Sequence, residues 1–536
     1  FIGFSCHVVP LLLKFKHELS ADPGMLSSVW YTAYSVLFVA GAMCVLTWYC
    51  VYRVIILPSA GPDARFLTYP VIFLWAYGVS ALAVNAHVAD LIVVTAVTAA
   101  AFGFHATTFG RTLIAYARGT GSVVLSRPVV ALALVGIGAF AIRVFYLYRI
   151  MSDPNCMLTG SDAVRYDAMA RSFLAGENIT DSYASGYWMF LAVIYKVFGT
   201  GYFSVGIVQC IISSVSCILL YYVGARIFNA RAGLIAAVLS ALNFLLVFSA
   251  SSIGYQVMDV FYCTAVVLLA LLYTDSLYRV QGPVPWLLLC VTGGVMACAV
   301  ATRETNFFFS IILVVWMFLM LRQRVCVKSS LAAAAVVLIS YCLVLAPFIV
   351  RNIRHTGVWY PVFTTYGASD SGQGRDKAFS HYYAEYVNLE NRDLEAAGVD
   401  LFDARKTFAS FMRSPGAVSS ALMRNFTGKF ANMFFQQGYG SFDLLFLYRL
   451  SDYYYAAWFY AYVLGIVGLV AAFRSRHAVL HTLGFAFIAY RTAVHLFTEA
   501  WYRHRASLEP FLLLYVAFGL YAVIAYSRRQ EGRIYE

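Results

Sequence analysis

The chain has 536 residues, of which 61% are hydrophobic and only 12% are charged, and its formal net charge is +12. This composition excludes an ordinary soluble domain, because such domains carry far more charged residues. Lys and Arg lie mostly between apolar runs, as in the loops of membrane proteins, so the positive charge does not indicate nucleic-acid binding. The eleven cysteines are scattered without metal-ligand spacing.

Apolar runs long enough to cross a bilayer recur along the whole chain. In hydrocarbon each run must satisfy its backbone polar groups internally, which favours helices. We therefore predict an all-α polytopic membrane protein, a helix bundle whose extracytoplasmic loops carry short interfacial helices. Hydropathy predicts roughly fourteen spans. They lie near 1–13, 31–52, 66–84, 87–103, 128–149, 202–223, 233–250, 256–274, 284–301, 305–321, 329–350, 455–473, 478–498 and 509–526.

Basic residues in the short loops alternate with the spans and define a cytoplasmic side. Two longer polar segments, about 151–202 and 351–454, then fall on the opposite, extracytoplasmic face. The predicted organisation has four parts. These are an N-terminal extension of unknown role (1–127), a membrane core with its first outer loop (128–350), an extracytoplasmic segment (351–454) and C-terminal transmembrane helices (455–536).

Five arginines on the outer face break the positive-inside pattern. They are Arg303, Arg351, Arg354, Arg503 and Arg505. Each taken singly is compatible with a side chain that extends to the lipid headgroups. Jointly they indicate an anionic ligand, because guanidinium groups match the geometry of phosphate.

Two carboxylates are the candidates for chemistry beside these arginines. Asp162 stands at the start of a helical pattern, where it is either a helix cap or a carboxylate base; one residue can serve as both. Asp259 lies just inside a predicted span, three residues after Gln256. It either lines a substrate cavity or is an acid at a helix end close to the headgroups.

Four motifs in order resemble the GT-C superfamily of membrane glycosyltransferases, in particular its protein O-mannosyltransferase and aminoarabinose transferase branch. The first joins Asp162 with Tyr166, Ala170 and Gly176. The others are the stretches Ser185–Trp188, Thr302–Arg303 with Ala346–Gly357, and Arg503–Pro510. Two positions depart from the family pattern: Ala163 replaces a second acid, and Ala184–Ser185 replace a Pro-Pro pair.

The resemblance implies a GT-C-like bundle and a transferase that uses a polyprenyl-phosphate sugar as donor. Asp162 would then be the base that activates an acceptor hydroxyl, and sugar transfer would proceed with inversion. Arg303, Arg351, Arg503 and Arg505 would bind the donor phosphate. A weaker prediction concerns the lining of the substrate cavity, which would contain Tyr166, Tyr187, Gln256 and Asp259. No metal or other cofactor is expected.

Two other interpretations stay open. A lipid or anion transporter would also place arginines along a polar cavity, and an inactive GT-C-like subunit would explain the departures at Ala163 and Ala184–Ser185. The acceptor is a protein, a glycan or a lipid. We expect a multi-pass protein surrounded by membrane lipids, with a bacterial inner membrane favoured over the endoplasmic reticulum. Residues 1–127 offer a possible contact with a membrane-protein partner.

Overall fold

The computed structural model describes somewhat more than half of the chain. The described residues are 128–151, 161–177, 184–279, 286–323, 325–356, 394, 396–399, 404–434, 461–462, 464–474, 478–497 and 502–535. The predicted spans that precede residue 128, and the role predicted for 1–127, lie outside these residues.

The described residues form helices joined by short turns, and none of them belongs to a strand. In chain order the helices are α1 (Pro128–Ile150), α2 (Ser161–Leu174), α3 (Ser185–Phe198), α4 (Tyr202–Ile227), α5 (Ala230–Leu242), α6 (Phe244–Ser251), α7 (Gln256–Arg279), α8 (Trp286–Thr302), α9 (Asn306–Arg322), α10 (Val327–Thr356), α11 (Ala404–Arg413), α12 (Pro415–Phe434), α13 (Leu464–Phe473), α14 (Ala478–Phe497), a 3-10 helix (Tyr502–Arg505) and α15 (Glu509–Tyr535). The all-α prediction is confirmed.

Four of the described helices are long and apolar enough to cross a membrane: α1, α4, α7 and α10. The bent pair α5–α6 gives a fifth if the two helices form one span. Shorter apolar helices lie beside them, among them α3, α8, α9 and the first half of α15. The chain is therefore a multi-pass membrane protein, as its hydropathy predicts.

The predicted helix near 233–250 is divided in two. α5 and α6 meet at Asn243 with a bend of 52°. The Asn243 side chain accepts a hydrogen bond from the Leu246 backbone N–H at 3.2 Å, so it caps the start of α6. An asparagine that bonds to nearby backbone offers the chain an alternative to continuing the helix, which is why the apolar run breaks there.

The break leaves carbonyl groups at the end of α5 without helical partners, and Arg143 of α1 occupies that position. Its guanidinium donates to the carbonyl oxygens of Ser240 and Ala241 at 3.3 and 3.2 Å and to the Ser213 hydroxyl at 2.8 Å. Arg143 is completely buried. A charged donor thus satisfies backbone acceptors inside the bundle, where water is scarce.

The main hydrophobic core joins α7, α8, α9, α10 and α14. Val267, Leu289, Leu313, Leu345 and Phe487 are among its buried residues. This packing brings the first turn of α7, the turn between α8 and α9, and the last turns of α14 to one end of the bundle. The candidate site lies at that end.

Candidate functional site

An ion pair joins α2 to the 3-10 helix that precedes the last helix. Asp162 is the second residue of α2, in the first turn, where the helix dipole favours a negative charge. One of its carboxylate oxygens lies 2.8 Å from an Nη1 nitrogen of Arg503, in the 3-10 helix. The side chains stay 23% and 32% exposed, so both remain accessible from outside the packed bundle.

A second carboxylate, Asp259 in the first turn of α7, is buried and shared by several donors. It is 1% exposed and forms ion pairs with Arg491 of α14 and, at 3.4 Å, with Arg303. The Asn306 amide donates to its other oxygen at 2.8 Å. Arg303 lies in the turn between α8 and α9, so this network joins three separate regions of the chain.

Tyr255 connects the two carboxylate sites. Its ring lies under the Arg303 guanidinium at 4.8 Å and edge-on to Tyr166 of α2. Burial raises the pKa of the Tyr255 hydroxyl; Asp162 and Asp259 add to the rise, whereas Arg303 and Arg503 oppose it. All four charged groups therefore lie within electrostatic reach of one tyrosine.

Two buried histidines extend the inner network towards the 3-10 helix. The ring nitrogen Nε2 of His495, on α14, lies 3.2 Å from the Arg303 guanidinium. Because arginine can only donate, this contact requires Nε2 to accept and the proton to sit elsewhere. The His495 ring stacks on His504 with 4.4 Å between centroids.

Arg505 is engaged by a carboxylate of its own. Its Nε lies 2.6 Å from Glu509 at the start of α15, and both side chains are buried. The Asn243 amide donates to the same carboxylate at 3.1 Å, and the Tyr462 hydroxyl donates at 2.6–2.7 Å. Arg505 thus pairs with the buried carboxylate of Glu509, whereas the nearby Arg503 pairs with the carboxylate of Asp162.

Gly186 and Tyr187 at the start of α3 position the turn that carries Arg303. A β-carbon on Gly186 would lie 2.8 Å from the backbone of Ala301 and Thr302, so only glycine permits this close approach. The Tyr187 hydroxyl donates to Gln209 of α4 and accepts from the Gly254 backbone N–H, both at 2.7 Å. These bonds fix the loop that contains Tyr255.

Residues 185–350 match the family model described as dolichyl-phosphate-mannose-protein mannosyltransferase. These residues form a domain of that family, within the GT-C superfamily. The match covers less than a third of the chain. No curated protein matches the chain.

Among solved structures, the chain is similar to the oligosaccharyltransferase AglB from the archaeon Archaeoglobus fulgidus. In complex with an inhibitory peptide and a dolichol-phosphate, that protein gives 14% identity and a TM-score of 0.49 over 74% of this chain and 50% of the other. Its apo form gives 14% identity and 0.47 over 76% and 52%. The chain thus spans about half the length of these structures.

Two carboxylate–arginine pairs lie around Tyr255. The mannosyltransferase-family domain contains one of these pairs and lacks the other. Asp259 and Arg303 lie inside the matched range, whereas Asp162 and Arg503 lie before and after it. The structure brings all four to the same end of the bundle. Their catalytic and phosphate-binding roles stay predictions.

Other predicted site residues are placed as follows. Tyr166 is buried against the Tyr187 ring, with 4.9 Å between centroids. Gln256 is half-buried at the first position of α7. Arg351 belongs to the last turns of α10, and its side chain lies outside the described part of the structure.

Sequence reasoning missed Arg491, His495 and Glu509. The signal for Arg491 was present, because an arginine inside a predicted span is costly unless it has a partner. His495 lies one turn further along the same helix. Within the described ranges, no three His, Cys, Asp or Glu side chains form a group that could hold a metal ion.

Proposed function

We propose that this protein is a membrane glycosyltransferase. It would move a sugar from a polyprenyl-phosphate donor to an acceptor hydroxyl at the extracytoplasmic end of the bundle, with inversion and without a metal. The observation that carries the proposal is the accessible Asp162–Arg503 pair at 2.8 Å. It presents one group that can take a proton and one that can bind a phosphate, side by side.

In this proposal Arg503 changes partner when the donor binds. The donor phosphate takes over the guanidinium, since paired N–H donors match phosphate oxygens well. Asp162 then accepts the proton of the acceptor hydroxyl as that oxygen attacks the anomeric carbon. The bond from this carbon to the phosphate oxygen breaks, and polyprenyl phosphate leaves with the bonding electrons. Arg503, with Arg303 behind it, stabilises the negative charge on the leaving phosphate.

The family match supports the donor class, and its description names a protein acceptor. A serine- or threonine-containing peptide is therefore the first acceptor to test, and polyprenyl-phosphate mannose the first donor. In this proposal residues 128–350 are the membrane core that carries the donor site. Turnover should persist in the presence of a chelator.

The test compares Asp162→Asn with Asp167→Asn in the full chain in lipid nanodiscs. Loss of a general base lowers rates by about 10²–10⁴-fold, so we expect Asp162→Asn to lose transfer to that extent. Asp167 is on the same helix but is held by Arg171 and Tyr195, so Asp167→Asn should keep turnover near that of the unmodified chain. Undiminished turnover in Asp162→Asn would remove the base from the proposal.

Donor binding separates the arginine role from the base role. Arg503→Ala should weaken binding of the polyprenyl-phosphate sugar by roughly tenfold or more, because a charged hydrogen bond contributes about 1.5–3 kcal/mol. Arg503→Lys keeps the charge without the paired donors. Its affinity for the donor should therefore lie between those of Arg503→Ala and the unmodified chain. Asp162→Asn should bind the donor at least as tightly as the unmodified chain. Unchanged affinity in Arg503→Ala would contradict phosphate binding by this residue.

A further inference from the structure

Helix α11 turns its apolar side away from the protein. Phe408, Phe411 and Met412 are 65%, 40% and 65% exposed and follow the i, i+3, i+4 spacing of one helix face. The polar Ser410 instead points inward, donating to the Gly398 carbonyl at 2.6 Å. This is the reverse of a helix on a water-facing surface, where the apolar side packs inward.

The helix pair α11–α12 also has a one-signed charge. Residues 404–434 contain five basic residues and no acidic residue. Four of the five are exposed, namely Arg405, Lys406, Arg413 and Arg424. Apolar side chains flanked by basic ones are the pattern of helices that lie in a membrane surface and contact anionic headgroups.

The position of α12 agrees with a membrane surface. Its buried residues Val418 and Ala421 pack in a small core with Leu394 and Val399. Its last turn meets the 3-10 helix, where Arg505 donates to the Met433 carbonyl at 3.4 Å. That 3-10 helix lies between the end of α14 and the apolar start of α15. It therefore marks the end of the helix bundle, where the membrane surface is expected.

We infer that α11 lies in the membrane surface, with Phe408, Phe411 and Met412 among the lipid acyl chains and the flanking basic residues at anionic phospholipid headgroups. The occupant of this exposed face is thus the lipid bilayer, rather than another protein. The inference rests on the exposed side chains of α11–α12 and does not depend on the proposed transferase activity.

The test places an environment-sensitive fluorescent amino acid at position 408 in the full chain, reconstituted in nanodiscs of mixed phosphatidylcholine and phosphatidylglycerol. The matched control places the same probe at Lys406, about half a turn around α11. A spin label on the lipid acyl chain should quench the probe at 408 at least about twofold more than the probe at 406. Aqueous iodide should show the opposite order.

Two results would overturn membrane insertion. One is equal iodide quenching at both positions, which would place the apolar face in water. The other is a 408 probe shielded from both quenchers, which would show that protein covers this face.

A second experiment tests the preference for anionic headgroups. Replacing phosphatidylglycerol by phosphatidylcholine should reduce acyl-chain quenching at 408, because basic residues near the membrane surface are attracted to anionic headgroups. The combined variant Arg405→Glu and Arg413→Glu should abolish this lipid dependence. Quenching that is identical in the two lipid compositions would overturn the anionic preference.

Discussion

At the residue scale, Asp259 shows how a charge is kept inside this bundle. Its carboxylate accepts from Arg491, Arg303 and Asn306, so its oxygens are surrounded by donors although the side chain is 1% exposed. Arg491 also donates to Ser507 at 3.0 Å, beside the 3-10 helix. The Asp259–Arg491 pair therefore orders the segment that carries Arg503 as well as the first turn of α7 and the last turns of α14.

Replacing one member of this network should be more harmful than replacing two. Asp259→Asn leaves two buried arginines, Arg491 and Arg303, without their shared carboxylate, and breaking a buried pair in this way costs about 3–5 kcal/mol. The double variant Asp259→Asn with Arg491→Met removes both charges and should recover part of that loss. Thermal unfolding in detergent measures both, with Arg474→Met as the exposed control. Additive losses in the double variant would show that the two residues do not act as a pair.

The sequence predicted Asp259 and Arg303 as site residues but could not predict the contact between them. Positive-inside and hydropathy rules flag residues one at a time, and they locate a charge without its partner. Arg491 was overlooked because a single arginine does not interrupt the hydropathy of the predicted span 478–498. Its partner is 232 residues away in the chain, a separation that only the packed fold closes.

At the element scale, the break between α5 and α6 has the largest consequence for the site. Arg143 satisfies the end of α5, and Asn243 caps α6 while its amide donates to Glu509. The sequence predicted the apolar run 233–250 correctly, yet it gave no sign of the break. An asparagine within an apolar run is compatible with a continuous helix until a partner such as Glu509 engages its amide.

Arg143→Met should therefore destabilise the bundle even though it removes a buried charge. Methionine fills similar space but cannot donate to the Ser240 and Ala241 carbonyls, and unpaired buried backbone acceptors cost about 1–3 kcal/mol each. The matched control is Arg149→Met on the same helix, at an exposed position. The midpoint of thermal unfolding should fall for Arg143→Met and stay near that of the unmodified chain for the control. Equal midpoints would show that the α5 end does not depend on Arg143.

At the scale of the whole molecule, three segments of the chain meet at one carboxylate. Glu509 contacts Asn243 at the helix break, Tyr462 before α13, and Arg505 in the 3-10 helix. Arg505 in turn reaches the last turn of α12. The motif Arg503–Pro510, predicted from the sequence to bind phosphate, thus contains one half-buried arginine that pairs with Asp162 and one buried arginine that pairs with Glu509.

This division of roles predicts a distinct effect of Glu509→Gln. The amide keeps the shape of the side chain but loses the charge that pairs with Arg505, so the 3-10 helix should open more often without global unfolding. Hydrogen exchange in residues 502–508 should become faster by about tenfold or more, which corresponds to roughly 1.4 kcal/mol of lost local stability. Glu177→Gln, an exposed acid after α2, is the control and should leave this segment unchanged.

Donor affinity of Glu509→Gln should fall together with the exchange protection, because Arg503 can be presented to the phosphate only while this segment is ordered. Faster exchange with unchanged donor affinity would instead show that donor binding does not depend on the Glu509 contacts.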